Sequence, residues 1–500
     1  MDISSTNIYI LATLCIAIST VILKLCKSSR FSKLDHIPYV GHSTWFGPYI
    51  SAFKYVRNAA QILEEGYAKH KGMPFKVPAL GRWIVVLGPR HLEDIKKFAD
   101  RELSLVEASN DFLNVNHLMG SEVNANPYHI SVTRVQLARS LAPYYPDMRD
   151  EIFAAFDELL DLKDNEWKSV LAVKTVREIV CRASNRVFVG LPLCRDPEWI
   201  EIASRFTIDL ATDGITLTMF PKFLVPFVSR ILPNAPTSVK RATKLLDSTV
   251  KERFRCMRER GDEWSDKPND ILQWLIDEKQ DFTTKQLTPR ILLTNLVAIL
   301  SPTSTFTQAL YYLAAYPQYV RLLREEVDAI IEEYGWTKEA MAKMWKVDSF
   351  LAETERLEGF TVSVQRKAME DLTLSDGTFI PKGTHIAVPT YIIHRDSTVY
   401  QNPGMFDPLR FYKLRSNGTE SARHQMVAVN QNYLPFGYGK HACPGRFLAA
   451  DELKTMLAHV LISYDVKFEG RDTRPSSIKW DTASMPDPTV RVMFRKRARD

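Results

Sequence analysis

Five hundred residues leave room for one large domain or two to three ordinary ones, and a hydrophobic fraction of 45% with 25% charged excludes a mostly disordered, collagenous or polytopic membrane chain. Basic residues number 65 and acidic residues 59, so the formal charge is +6. That is too thin an excess for a nucleic-acid binder, though it permits a local basic patch facing an acidic partner. The six cysteines form no disulfide framework, which points to a reducing compartment for the main body.

Ile8 to Leu23 carries no charge, and Lys24, Lys27, Arg30 and Lys33 follow it. Positive charge after the apolar run, not before it, argues against a cleavable signal peptide. Snorkelling lysines lengthen the run enough to span a bilayer. Residues 1–27 therefore read as a single-pass anchor with the rest of the chain in the cytosol. A buried amino-terminal helix is the alternative. Residues 28–50 read as a connector broken by Pro38, Gly41, Gly47 and Pro48.

From residue 51 the periodicity is mainly helical. Phe153, Phe156, Leu159 and Leu160 keep helix spacing, as do Leu322, Leu323, Val327 and Ile330. Trp83–Leu87 and Ile386–Val388 read as strands, and Ser375-Asp376-Gly377 as a hairpin turn. No repeat or long linker divides the body. Residues 51–500 are expected to form one large domain, mainly α with a small β region (α+β). The stretch 212–236, apolar and punctuated by prolines, reads equally as a membrane contact, a pocket entrance or a buried junction.

The most informative segment is Phe436 to Arg446, FGYGKHACPGR. Three glycines around one cysteine give a backbone that bends tightly and approaches a flat ligand closely. Pro444 and Gly445 open a helix whose apolar positions Leu448, Leu453, Met456, Leu457, Val460 and Leu461 keep helical spacing. Cys443 then sits at a helix amino terminus, where the macrodipole and N–H groups favour a thiolate, with Lys440, His441 and Arg446 adding positive charge. The residues alone leave four readings open. They are a thiolate nucleophile, a zinc site, a phosphate-binding glycine loop and an inert core thiol.

The spacing of Phe436, Gly439, Cys443 and Gly445 resembles the haem-binding signature of the cytochrome P-450 family. Glu353-Thr354-Glu355-Arg356 is similar to that family's Glu-x-x-Arg motif, and i and i+3 share one helix face. In the family this pair meets an arginine of a later loop, here Arg410 within 406–411. The resemblance covers essentially the whole chain. It is closest to fungal microsomal members, through ALYYLAAYP (309–317) and NPYHISVTRVQLAR (126–139).

The resemblance implies the cytochrome P-450 fold and haem b, with Cys443 as the iron ligand and Phe436, Gly439, His441 and Gly445 shaping the cofactor loop. A thiolate on haem iron donates electron density and favours O–O cleavage, so the implied activity is monooxygenation of a hydrophobic small molecule, a fungal terpenoid or related natural product. Electrons would come from NADPH through a cytochrome reductase docking near Lys440 and Arg446, since no strand-GxGxxG-helix unit is present. The implied setting is the endoplasmic reticulum membrane, in contact with lipid. By family position His441 and Arg366 are candidates for the haem propionates. Arg134 and His129 come from a segment matching the family's helix C, though it lacks the usual tryptophan. The pocket is expected among 105–120, 205–225, Val297–Thr305, the stretch after Arg356, and a hairpin near Ser484-Met485.

One helix departs from the family pattern. Thr288 and Pro289 read as its start, and Leu292 to Leu300 is apolar nearly all round, hence expected to be buried. The family's acid and threonine fall on Leu300 and Ser301, followed by Pro302. Ser301 is the candidate catalytic hydroxyl, and Pro302 is expected to kink the helix and free the carbonyl of Ala298. With the acid missing, two alternatives stand beside the monooxygenase. One is a reductase-independent haem-thiolate isomerase or dehydratase; the other is a haem-binding protein without catalysis.

Overall fold

The computed structural model describes residues 32–41, 47–79, 82–139, 141–218, 220, 222–278, 282–417 and 421–498. The expected anchor over 1–27 lies outside these residues. Among the described residues, no helix is long and apolar enough to cross a membrane.

Helices build most of the molecule, and helical spacing explains which faces they bury. Leu141–Leu160 buries Ile152, Ala155, Phe156 and Leu160, and Val320–Tyr334 buries Leu323 and Val327. A central helix, Thr284–Ala315, packs against Ala172–Phe188, Asn234–Arg260 and Trp345–Glu358. Its Phe306, Leu310 and Leu313 join Met456 and Leu457 of a proximal helix, Arg446–Ser463, in the main hydrophobic core.

The β region is small. Its largest sheet runs in the order Phe75–Ala79, Arg82–Val86, His385–Val388, Ser363–Ala368, Leu103–Ser104. Arg82–Val86 pairs parallel with His385–Val388, Ile84 opposite His385, so both expected strands form and adjoin. Residues of the connector dock on the same sheet. Tyr39 bridges Lys76, the Val40 N–H donates to the Lys76 carbonyl at 3.0 Å, and Ile37 is buried. Ser375-Asp376-Gly377 turns between Leu372–Thr373 and Phe379–Ile380, with Gly377 at φ +83°.

The central helix differs from its expected form at its start and on one face. It begins at Thr284, a turn before Thr288, because the Thr283 N–H donates to Gln286 Oε1 at 2.9 Å and caps it there. It runs through both Pro289 and Pro302 as one helix. It is also not buried all round. Leu292, Leu296 and Ile299 are buried, but Val297 and Leu300 are 61% and 41% exposed and Ser301 is exposed beside them. An apolar residue facing a cavity and one facing the core look alike in a sequence, which is why the open face was not anticipated.

Candidate active site

The cysteine loop is shaped by its glycines. Gly437 and Gly439 adopt φ +79° and +67°, a region that favours glycine. The bend lets the Cys443 N–H donate to the Phe436 carbonyl at 2.8 Å, and Arg446 Nη1 donates to the Cys443 carbonyl at 2.9 Å. The helix begins at Arg446 with Gly445 as its cap residue, two residues after Pro444. Burial pushes the Cys443 thiol above its ordinary range, outweighing the backbone N–H groups of Gly445 and Arg446 and the Arg446 charge. The helix terminus therefore does not by itself make a thiolate. A cation bonded to the sulfur would be needed to hold it ionised, which is what an iron ligand requires.

Behind the loop lies a fully buried ion network. Arg356 Nε and Nη2 donate to Glu353 Oε2 and Oε1 at 2.7 and 2.8 Å, and both side chains are completely buried. Arg410 Nε reaches both Glu353 oxygens at 3.1 Å, as the resemblance implied. Arg356 Nη1 also donates to the carbonyls of His394 and Pro403, the latter at 2.8 Å. His394 then joins this network to the loop. Its Nε2 accepts from the Leu434 N–H at 3.0 Å, so Nδ1 carries the proton toward the Arg356 carbonyl at 3.1 Å. Burial and the Arg356 charge push this imidazole down to about 3. His394 is a lone histidine with no motif around it, so sequence reasoning missed it.

Arg366 and His441 converge on one cavity of about 310 Å3, whose wall also includes Gly437, Phe112, Phe360 and Val362. Arg366 is buried, makes no ion pair among the described residues, and donates only to its neighbour's carbonyl, Gln365 O, at 2.7 Å. Burial lowers it to about 10, so it stays charged at neutral pH. His441 is pulled down by burial and by the Arg366 charge, while Asp100, 2.7 Å from Nε2, pulls it back. A buried cation without a counter-ion, a histidine beside it and a cysteine loop at the same wall are the donor set that a haem with two anionic propionates calls for. The residues fit that group.

The other candidates lie elsewhere. Arg134 is exposed on Tyr128–Arg139 and does not line this cavity. His129 is buried near Arg290, its Nδ1 without a partner, and burial lowers it to about 4. Ser301 sits on the open face of the central helix with Val297 and Leu300, and Ser304, one turn on, donates to the Ser484 carbonyl at 3.4 Å. That bond brings the carboxyl-terminal hairpin, Ile478–Trp480 and Ala483–Met485, to the helix. Lys440 is tied to Asp100 at 2.8 Å and Lys96 to Glu93 at 3.7 Å, and both Lys96 and Lys97 are exposed. Leu105, Ala108, Ser109, Phe112, Leu113, Phe360 and Val362 to Arg366 line the cavity from two of the expected stretches, whereas 205–225, Val297–Thr305 and Ser484-Met485 do not line it; Arg82 and Asp481, which do, carried no sequence signal.

A cysteine on a glycine-built loop that shares a cavity with two propionate-type donors, braced by a buried Glu-Arg-Arg network, defines a haem-thiolate oxygenase. The chain belongs to the cytochrome P450 family, whose model matches residues 96–494. It is 42% identical over 473 residues to cytochrome P450 monooxygenase 103 of Postia placenta, covering 94% of this chain and 95% of that one. It is 33% identical over 470 residues to cytochrome P450 monooxygenase CYP512U6 of Ganoderma lucidum, covering 93% and 92%. Among solved structures, retinoic acid-bound cyanobacterial CYP120A1 shares the fold with a TM-score of 0.68 at 18% identity, covering 92% of this chain and 99% of that one. The protein is accordingly a cytochrome P450 monooxygenase with haem as cofactor.

Proposed function

We propose that this monooxygenase oxidises a terpenoid or related hydrophobic natural product, with electrons from NADPH through a cytochrome reductase, at the endoplasmic reticulum membrane. The observation that carries the reading is the cavity joining the Cys443 loop, Arg366 and His441 to apolar walls. When bound there, haem supplies the activation of dioxygen from which one oxygen atom enters the substrate. Cys443 would hold the iron through Sγ, and Arg366 and His441 would neutralise the propionates. Phe112, Phe360 and Val362 exclude water around an apolar substrate. Ser301, exposed on the central helix beside Leu300, which offers no acid, would be the hydroxyl that orders water and passes a proton.

Membrane placement rests on two features. The uncharged run Ile8–Leu23 precedes the body. Phe223, Phe227 and Ile231, in the stretch 212–236, are 58%, 64% and 78% exposed, an apolar surface suited to lipid. The reductase would meet the side bearing Lys96, Lys97 and Lys440.

The test is untargeted metabolite comparison in a host expressing the full chain with a reductase, against the same host carrying Cys443→Ala. New oxygenated products present only with the intact cysteine are the expected result. No difference between the two hosts overturns the proposal. Product formed equally without reductase would favour the isomerase or dehydratase reading that Leu300 suggests. Fractionation after deletion of residues 1–27 tests the membrane reading. Partial retention in the membrane is expected from the 223–231 surface.

A further inference from the structure

Arg82 stands where the cavities of the molecule meet. It lines the cavity of about 310 Å3 described above and a second one of about 320 Å3 on the other side. It also lines a small one between them, with Phe112, Trp480 and Asp481. The guanidinium lies 5.2 Å over the Phe112 ring and makes no ion pair among the described residues. Its Nε is sealed from solvent without an acceptor, and nearby Asp481 Oδ1 and the Tyr55 hydroxyl are likewise buried and unpartnered. Three orphan polar groups in one place are costly. Core packing alone does not account for a cation held this way.

The second cavity has a consistent electrostatic sign. Lys33, Arg82, Lys222, Lys367 and Lys382 line it, against the single carboxylate Asp111. Asp111 is already engaged by Lys367 at 2.8 Å and His385 at 3.0 Å, so it does not neutralise Arg82. A cleft lined by one sign of charge concentrates ligands of the other. The first cavity, in contrast, offers Leu105, Leu113, Phe360 and Val364.

We propose that Arg82 is a substrate-recognition residue that binds the carboxylate of an apolar acid in the basic second cavity, with the hydrocarbon body extending past Phe112 toward the cavity that Arg366 and His441 fit to haem. The inference rests on the monooxygenase reading and narrows its substrate class. A planar guanidinium matches a carboxylate through paired N–H donors, and a ligand carboxylate supplies the paired acceptors that no group among the described residues gives it. Asp481, close enough to be felt by Arg82 electrostatically, competes for the same cation. Its removal would strengthen the site.

The experiment uses the full-length holoprotein with abietic acid and methyl abietate as a matched acid and ester. Binding is read by quenching of tryptophan fluorescence, since Trp83 and Trp480 line these cavities, and by the shift of the Soret band. The native protein is expected to prefer the acid by about tenfold or more, the size of one charged hydrogen bond. Arg82→Gln should bring the acid-to-ester ratio near one while changing ester affinity little. Asp481→Asn should move the ratio the other way, which a merely unfolded variant does not do. Equal affinity of the native protein for acid and ester overturns the proposal. So does an Arg82→Gln protein that keeps the preference but loses haem, because Arg82 would then serve the cofactor. The reduced, carbon monoxide-bound spectrum is recorded for every variant. A thiolate-type Soret band with no acid preference sinks this inference alone, whereas absence of that band in the native protein sinks the monooxygenase reading.

Discussion

The two sides of the cysteine loop differ in how far their buried polar groups are paired. On the proximal side, Glu353, Arg356, Arg410 and His394 are buried with their charged and ring nitrogen groups satisfied. On the substrate side, Arg82, Asp481 and Tyr55 hold unpartnered polar atoms, and Val297, Leu300 and Ser301 face open space. A satisfied buried network specifies one arrangement of the backbone. An unsatisfied one leaves room for a partner that is not among the described residues. The contrast separates the part of the molecule that fixes the sulfur from the part that meets different molecules.

The largest break in this comparison would come from Cys443→Ala. It should abolish the thiolate-type Soret band under carbon monoxide and all oxygenation, while circular dichroism remains native. Next is the proximal network. Glu353→Ala leaves two buried guanidinium groups without their carboxylate and should destabilise the fold by about 3–5 kcal/mol. Arg356→Lys should fail almost as badly, because one ammonium cannot replace the paired donors to Glu353 and the carbonyls of His394 and Pro403. Denaturant unfolding and haem retention measure both. The comparison would be sharpened if substitutions at Arg82 left these two readouts untouched.

A smaller effect concerns acidity. Glu452 on the proximal helix is buried against Ser184 Oγ at 3.3 Å, and burial pushes its carboxyl up to about 8 from 4.5. The folded state therefore keeps a proton that the unfolded chain releases. This favours folding fully below about 4.5 and is lost progressively as pH rises toward 8. Glu452→Gln should flatten that decline and raise stability at pH 7 by on the order of 2 kcal/mol. Thermal unfolding at several pH values shows whether the slope disappears. The smallest effect is expected from Ser301→Ala, a decrease of about twofold or more in product formed per NADPH consumed. Unchanged coupling would remove Ser301 from proton delivery.

What could be read from the chain before folding divides along the same line. The cysteine loop was legible because positive backbone angles demand glycine at Gly437 and Gly439, and the spacing to Cys443 is distinctive. The Glu353, Arg356 and Arg410 network was legible because a helix places i and i+3 on one face and the later arginine follows in order. Strands such as Arg82–Val86 showed themselves by runs of β-branched residues. Arg82 and Asp481 did not, since a single arginine at a strand start and a single aspartate in a hairpin resemble surface charges. The open face of the central helix was hidden for a related reason. Apolarity records that a residue avoids water and leaves unsaid whether its neighbour is protein or ligand.

His394 has a consequence for how the enzyme meets changing conditions. With one ring nitrogen accepting from Leu434 and the other donating to the Arg356 carbonyl, the imidazole is confined to a single tautomer. Most histidines switch charge near neutrality, but this one stays uncharged down to about 3. The strut that carries the sulfur's position is therefore indifferent to the cellular pH swings that retune other histidine-bearing proteins.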